Sequence, residues 1–468
     1  MTSTVRPAVA DAPSPPPAVR RAPWAGVLLG ALTFAAYLPG LGRSLDFDSA
    51  ETVGLFIRSG PPWLAFREQE VFNNHPMFSF LEQLVRVVTG GAGAATMRLL
   101  PIACGAAAVG VLTWFAVRRH GLPAGLVAGV VMACNPTFAE LSRAVRGYSL
   151  LTLCAVVATV VVAEDRATRS RPLDAVYILA AGIGLATHLY MVPVIAAHVG
   201  AVVARKRLDE RWRLRFAGAL LVGACAYAGM AAAMVHAAGE HARVFQADLP
   251  WRVATMATGG GWASLALAPL VAVGALTLLR GSRAARGAAV GLVVVLVALW
   301  AVMQSSALDQ RFFVWMVPGV AYLVAVAVGR LRLGYVLAAI SAVVAITVLA
   351  PGYTRDATGY RQAAAVLRHV GGAGGRGCVV GVGVPPMVGY LDTPREFAVV
   401  TEPSEFDRCD VVVVAAHWST TANWFAADRR VIDAAEGRFP YRLVLPADDP
   451  ALVLSDRPFA VWTASPAS

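Results

Sequence analysis

Carboxylate, imidazole and guanidinium side chains are the groups that move protons and hold anions. In this sequence they gather in a few short stretches. The first is "SLDFDSAETVGLF", Ser44 to Phe56, which carries Asp46, Asp48 and Glu51. Arg67, Glu68, Glu70 and "FNNHP" follow, with His75 directly before Pro76. Further on come "SRAVRGYSLL" with Arg143, Arg146 and Tyr148, "THLY" with His188 and Tyr190, and "SSALDQRFF" with Asp309 and Arg311. Each has a plain alternative reading. Asp46 suits a solvated loop, and Asp48 can cap a helix starting at Ser49, with Glu51 on the same side. His75 can simply open a helix before Pro76. Arg143 is favoured as a lipid head-group anchor, Arg311 suits that role equally, and His188 alone reads as a packing residue.

The elements that must position these groups are membrane helices. Of the 468 residues, 57% are hydrophobic and 15% charged, with a mean hydropathy of +0.61. Soluble domains carry about 25% charged residues. The formal net charge of +11 comes from arginines clustered between apolar runs, which is the pattern of topology signals and needs no nucleic acid. The first 22 residues, with "APSPPPAVRRAP", read as disordered, and no small-residue cleavage site follows them, so the next segment is an anchor.

Apolar runs of span length number about eleven: Trp24–Leu41, Arg98–Val117, Leu122–Glu140, Tyr148–Ala163, Ala175–Tyr190, Met191–Ala204, Leu214–His236, Gly261–Leu279, Ala288–Gln304, Phe312–Val328 and Tyr335–Ala350. Met77–Thr89 is shorter and suits an interfacial helix. With the N-terminus in the cytoplasm, strict alternation puts every dense arginine cluster on that side. The opposite side then receives the outer loop 42–97, Leu141–Gly147, the Tyr190 turn, Ala237–Gly260, Ser305–Arg311 and all that follows Pro351. The polar groups listed above share this outer face. Ionisable groups at membrane depth are costly and mark a functional cavity.

The expected organisation is therefore a disordered stretch over 1–22, a helical polytopic membrane domain over 23–351, and a small extracytoplasmic α/β domain over 352–468. In the last, "YRQAAAVLRHV" and "NWFAADRRVIDAAEG" read as helices, "GCVVGVG" and "CDVVVVAA" as buried parallel strands, and "YRLVLP" with "ALVLS" as a final strand pair. Cys104, Cys134, Cys154 and Cys225 fall inside spans and read as small core residues. Cys378 and Cys409 each stand near a strand start, where a disulfide can form in an oxidising compartment. No metal-ligand spacing occurs among them. Richness in alanine, arginine and glycine suits a high-GC bacterium and so a plasma (inner) membrane.

Taken in order, "FDSAET", "HP" opening a short apolar helix, "RLLPIACGAAAVGVLTWFAVRRHG", "LSRAVRGYSLL", "THLY" and "DQRFFVWMVP" resemble the GT-C membrane glycosyltransferases. The likeness is to the branch that uses polyprenyl-phosphate sugars. That branch includes protein O-mannosyltransferases, the aminoarabinose transferase of lipid A and bacterial mannosyltransferase-like proteins. It covers Trp24 to Pro351. The family's first-loop pattern F-D-E-A-x-(S/T) matches Phe47, Asp48, Ala50 and Thr52, with Ser49 in place of the Glu and Glu51 two positions later. His75–Pro76 matches the family's His-Pro-Pro up to Met77. Ser142, Arg146 and Tyr148 match the next motif, with Ala144 at its Glu position. Thr187 with His188, and Arg311 with Phe312, complete the set.

What the resemblance implies is transfer of a sugar from a lipid phosphate to an acceptor hydroxyl. Such transfer needs a carboxylate to take the hydroxyl proton and cations on the departing phosphate. Asp48 is the expected base, with Glu51 or Asp46 assisting, and Arg146, Arg311 and His75 are the expected phosphate ligands. Tyr148, His188 and Tyr190 complete the expected binding residues. Direct displacement inverts the anomeric centre. No cofactor is implied, although the spacing of Asp46 and Asp48 would also suit a divalent ion. The acceptor would be a glycan, a lipid or a protein. Two other classes remain: a lipid-carrier-binding relative without activity, and a transporter of polyprenyl lipid or glycan. The second would be expected to show inverted repeats and broken midplane helices, and the sequence shows no repeat.

Overall fold

The computed structural model describes residues 17–42, 45–58, 60–66, 74–165, 171–232, 234, 246–302, 309–330, 336, 360–372, 374–380, 397–400, 403–415, 433–435, 437–439, 441–445 and 459–463. Outside these lie Arg67, Glu68 and Glu70, most of the Tyr335–Ala350 span, the "GVGVPP" stretch, most of the "NWFAADRRVIDAAEG" helix and the "ALVLS" strand.

The N-terminal three quarters is helical. Helix α1 (Pro17–Tyr37) leads to the short α2 (Phe47–Glu51), which continues as a π-helical turn, Thr52–Ile57. Next come α3 (Pro76–Thr89), α4 (Ala94–Met97), α5 (Leu99–His120), α6 (Leu122–Ala133), α7 (Pro136–Leu141) and α8 (Tyr148–Glu164). The series continues with α9 (Arg171–Thr187), α10 (Met191–Ala204), α11 (Glu210–Tyr227) and α12 (Leu249–Thr258). Helices α13 (Gly261–Gly281) and α14 (Arg283–Val302) follow, then a 3-10 turn, Gln310–Met316, that runs into α15 (Val317–Val328).

Four segments among the described residues are long and apolar enough to cross a membrane: Ala94–His120, Gly261–Gly281, Arg283–Ala301 and Gln310–Val328. Ala22–Tyr37, Leu122–Ala133, Tyr148–Glu164 and Met191–Ala204 are shorter apolar helices. Helices α13 and α14 present Trp262, Leu265, Val290, Val293 and Val294 outward, as lipid-facing surfaces do. Where helices cross, small residues let backbones touch. A Cβ on Gly200 of α10 would lie 2.1 Å from the Gly287 carbonyl oxygen of α14, and one on Gly287 would lie 2.1 Å from that of Gly200.

Two expected spans differ in detail, as does one cysteine. Leu122–Glu140 is two helices: α6 stops at Ala133, and Asn135 starts α7 by accepting from the Phe138 N–H at 2.9 Å. Pro136, which has no N–H to donate, takes the first position of α7. Leu214–His236 gives up its α-helix at Tyr227 for a 3-10 turn, Ala228–Met230. Cys225, expected in the core, lies exposed on α11.

The tail folds as α/β. After α16 (Tyr360–Gly372) come β1 (Gly377–Val380), β2 (Ala398–Val400), β3 (Val411–Ala415), β4 (Tyr441–Leu445) and β5 (Phe459–Thr463), in the order β2-β1-β3-β5-β4. Strand β1 runs parallel to both neighbours, pairing Cys378 with Ala398 and with Val412. The partner of β4 is β5, antiparallel, with Leu443 opposite Val461. Cys378 and Cys409 are joined as a disulfide. One buried apolar cluster runs from Leu45, Val53, Phe78 and Met97 into Leu367, Val379 and Val411, so the tail packs against the first loop.

Candidate active site

Asp46, not Asp48, caps the first loop's helix. Its Oδ1 accepts from the Ser49 N–H at 2.9 Å and its Oδ2 from the Ser49 hydroxyl at 2.6 Å. The helix therefore starts at Phe47, two residues earlier than the sequence suggests, because the residue with an extended backbone is Asp46. The Ser49 oxygen in turn accepts from the Val145 N–H at 2.8 Å. The serine at the family's Glu position thus pins the first loop to the segment between α7 and α8.

Asp48, released from capping, is buried and faces Arg311, with Oδ2 2.5 Å from Nη1. Arg311 is delivered by the 3-10 turn, whose start Asp309 fixes by accepting from the Arg311 N–H at 2.8 Å. Arg146 is 2% exposed and donates to the Thr52 hydroxyl at 3.0 Å; that hydroxyl donates to the Asp48 carbonyl at 2.8 Å. Glu51 is buried on the same short helix. Arg143, favoured as a head-group anchor, folds back instead, its Nε donating to the Ala139 carbonyl at 3.1 Å. Behind this group, buried Arg98 holds the frame by donating to the Leu41 and Arg143 carbonyls at 2.8 and 3.2 Å.

Rings complete the arrangement. His75, at the head of α3, lies 5.0 Å from His188 and 5.3 Å from Tyr148, centroid to centroid. His188 lies 5.1 Å from Tyr190 and 5.6 Å from Phe312. Gly147 makes room for this arrangement. A Cβ there would meet the Thr187 methyl at 2.4 Å and His75 Nδ1 at 3.0 Å. His188 Nδ1 accepts from the Tyr190 N–H at 3.2 Å, so the neutral ring carries its proton on Nε2. Burial, with Arg146 and His188 adding to it, pushes the His75 imidazole well below its ordinary value. It is a neutral ring at neutral pH, not the cation a phosphate ligand would be.

The sequence-derived residues thus converge. Asp46, Asp48, Arg146 and Arg311 meet through Ser49, Thr52 and Val145, and His75, Tyr148, His188 and Tyr190 through ring contacts. His75 Nδ1, the Tyr190 hydroxyl and Arg311 Nε are among the polar atoms there that are buried with no hydrogen-bond partner among the described residues. Buried polar atoms without partners are rare and call for a ligand, a water or an ion. Both oxygens of Asp46 serve Ser49, while Asp48 is paired with Arg311. Missed in the sequence were Ser49 as a brace, Gly147 as a gap and Glu82 of α3. Glu82 is fully buried, and burial pushes its carboxyl well above the usual range.

No protein-family profile matches the chain, and no curated protein does. Among solved structures, ArnT from Cupriavidus metallidurans in the apo state aligns with a TM-score of 0.60 over 94% of this chain and 98% of that one. This chain has the GT-C fold. The likeness is one of fold, at 14% sequence identity. An oligosaccharyltransferase from Archaeoglobus fulgidus, tethered with an acceptor peptide, aligns at a TM-score of 0.47, with 10% identity, over 88% of this chain and 72% of that one. The same enzyme in complex with Zn and sulfate aligns at 0.45, with 12% identity, over 88% and 69%. Within the GT-C fold, the residues above fall on the first loop, the head of α3, the α7–α8 and α9–α10 turns and the entry to α15.

Proposed function

We propose that this protein is a membrane glycosyltransferase that moves a sugar from a polyprenyl-phosphate donor to a hydroxyl of a glycan, lipid or protein acceptor. The observation that carries the reading is the pairing of buried Asp48 with half-buried Arg311 beside Arg146, in a chain with the GT-C fold. The acceptor oxygen attacks the anomeric carbon as the carbon–phosphate oxygen bond breaks. The phosphate leaves with the bonding pair, and the hydroxyl proton passes to Asp48. A single displacement of this kind inverts the anomeric centre.

Arg311 engages the Asp48 carboxylate when no donor is bound. A donor phosphate competes for the guanidinium, and as Arg311 turns to it, with Arg146 as the second cation, the carboxylate is freed for the acceptor hydroxyl. His75, Tyr148, His188 and Tyr190 wall the site, and neutral His75 contributes a hydrogen bond where the sequence suggested a charge. Glu51 stays in reserve as the assisting acid, with Asp46 and Ser49 as its scaffold. The site lies in the outer loops of a plasma-membrane protein whose N-terminus is cytoplasmic and whose tail domain is extracytoplasmic.

A lipid-carrier-binding relative without activity is the second reading. It is favoured by the same ion pair, which leaves the carboxylate engaged, and by Ala144 at a family Glu position. Incubating membranes with a panel of labelled polyprenyl-phosphate sugars separates the two. Transfer by wild type and none by Asp48→Asn supports the enzyme. Donor retention without transfer by either supports the binding protein, and equal transfer by both removes Asp48 as base.

A further inference from the structure

The helix ends opposite the candidate active site enclose a second feature. Helix α15 and its leading turn separate Arg311 from Arg330 by about 30 Å, the thickness of a bilayer core. Around Arg330 lies a cleft of about 450 Å³, walled by the ends of α5, α13 and α15. Its polar lining is Arg119, His120, Thr277, Ser282 and Arg330, with no acid among the lining residues. An adjoining cleft of about 390 Å³ shares Thr277, Gly281 and Arg330, adds Arg280, and is otherwise bounded by Val273 and Leu276.

These arginines are not equivalent. Arg119 is already committed, its Nε and Nη2 reaching Glu164 at 3.2 and 3.0 Å. Arg280 and Arg330 have no carboxylate partner among the described residues, although they come from different helices and share one cavity. The wall is set by His120, whose Nε2 lies 3.0 Å from the Tyr322 hydroxyl. A lone arginine at a helix end serves as a head-group anchor. Two unpaired guanidinium groups with hydroxyls beside them form a donor set for phosphate oxygens. The apolar flank of Val273 and Leu276 suits an acyl chain.

We propose that this cleft binds a phosphate-bearing head group, supplied by an anionic lipid of the leaflet opposite the candidate active site. The proposal is independent of which reaction that site performs. Its test uses the full chain in nanodiscs, treated with phenylglyoxal and mapped by peptide mass spectrometry. Arg118 and Arg286, exposed and outside the cleft, serve as references. With phosphatidylglycerol in place of phosphatidylcholine alone, modification of Arg280 and Arg330 is expected to slow roughly tenfold, as saturating occupancy requires, with the references unchanged. Millimolar glycerol 3-phosphate in phosphatidylcholine discs tests the other source of phosphate. Equal protection there would keep the phosphate site but overturn its lipid supply. No protection in either arm, or equal slowing at the references, overturns the proposal. Native mass spectra give a second readout. Arg280→Gln with Arg330→Gln should lose one retained phosphatidylglycerol that Arg286→Gln keeps, and equal retention by both overturns it too.

Discussion

Two clusters of buried charge sit in this helical bundle, and they are built differently. In one, Arg211 and Arg215 of α11 face Asp165 and Asp174. Arg211 reaches them at 3.6 and 2.6 Å and Arg215 at 3.2 and 2.5 Å. Trp212 covers the group, its ring 4.2 Å from the Arg215 guanidinium carbon. Two acids and two bases close on one another. In the other, Asp48 and Arg311 pair among rings that leave His75 Nδ1 and the Tyr190 hydroxyl unanswered. The first cluster is a clamp complete without a ligand. The second keeps polar atoms without partners among the described residues, which is what distinguishes a site from a strut.

That contrast can be broken by substitution. Asp48→Asn should lower sugar transfer by about 10²–10⁴-fold, the usual worth of a general base, and leave the chain folded; a transfer assay beside a melting curve reads both. Arg215→Met should do the reverse. Both acids keep Arg211, so the loss of the Arg215 bonds costs about 1.5–3 kcal/mol of stability, seen as a lowered melting temperature, with turnover per folded molecule unchanged. Were Arg215→Met to abolish transfer while melting normally, the first cluster would not be a clamp.

Acid sharpens the comparison further. The His75 imidazole is held below its ordinary value, so the unfolded chain binds its proton more readily. The stability this contributes is full above about pH 6.5 and is lost as pH falls through the folded value. His75→Gln should therefore flatten the decline in melting temperature between neutral pH and mild acid, measured by following unfolding at several pH values. The smallest effect is expected of Ser49→Ala, which removes the Val145 and Asp46 bonds for about 1 kcal/mol each. Transfer should weaken through misplacement of Asp48 while the first cluster melts as before.

Much of the site could be read along the chain, because its members open or close helices at one face of the bundle. Asp48, His75, Arg146, His188 and Arg311 each stand at such an end, and an ordered set of ends needs no knowledge of packing. What stayed hidden depends on contacts between distant segments. Ser49 reads as a departure from a pattern until Val145 is seen to donate to it. Asp48 reads as the cap and Asp46 as a solvated loop residue until the backbone shows Asp46 in the capping position. Glu82 in an amphipathic helix reads as a surface acid, and only the full packing shows both its oxygens buried without a partner among the described residues. Gly147 before Tyr148 did carry a signal, since a glycine beside a bulky pair often marks a close approach.

The packing of the tail against the first loop orders events in time. Leu45, Val53 and Phe78 are made well before Leu367, Val379 and Val411, which share their cluster. The loop that carries Asp48 therefore lacks that part of its packing until β1 and β3 have been made. A molecule stalled before that point would hold every proposed catalytic side chain without the surface that seats them.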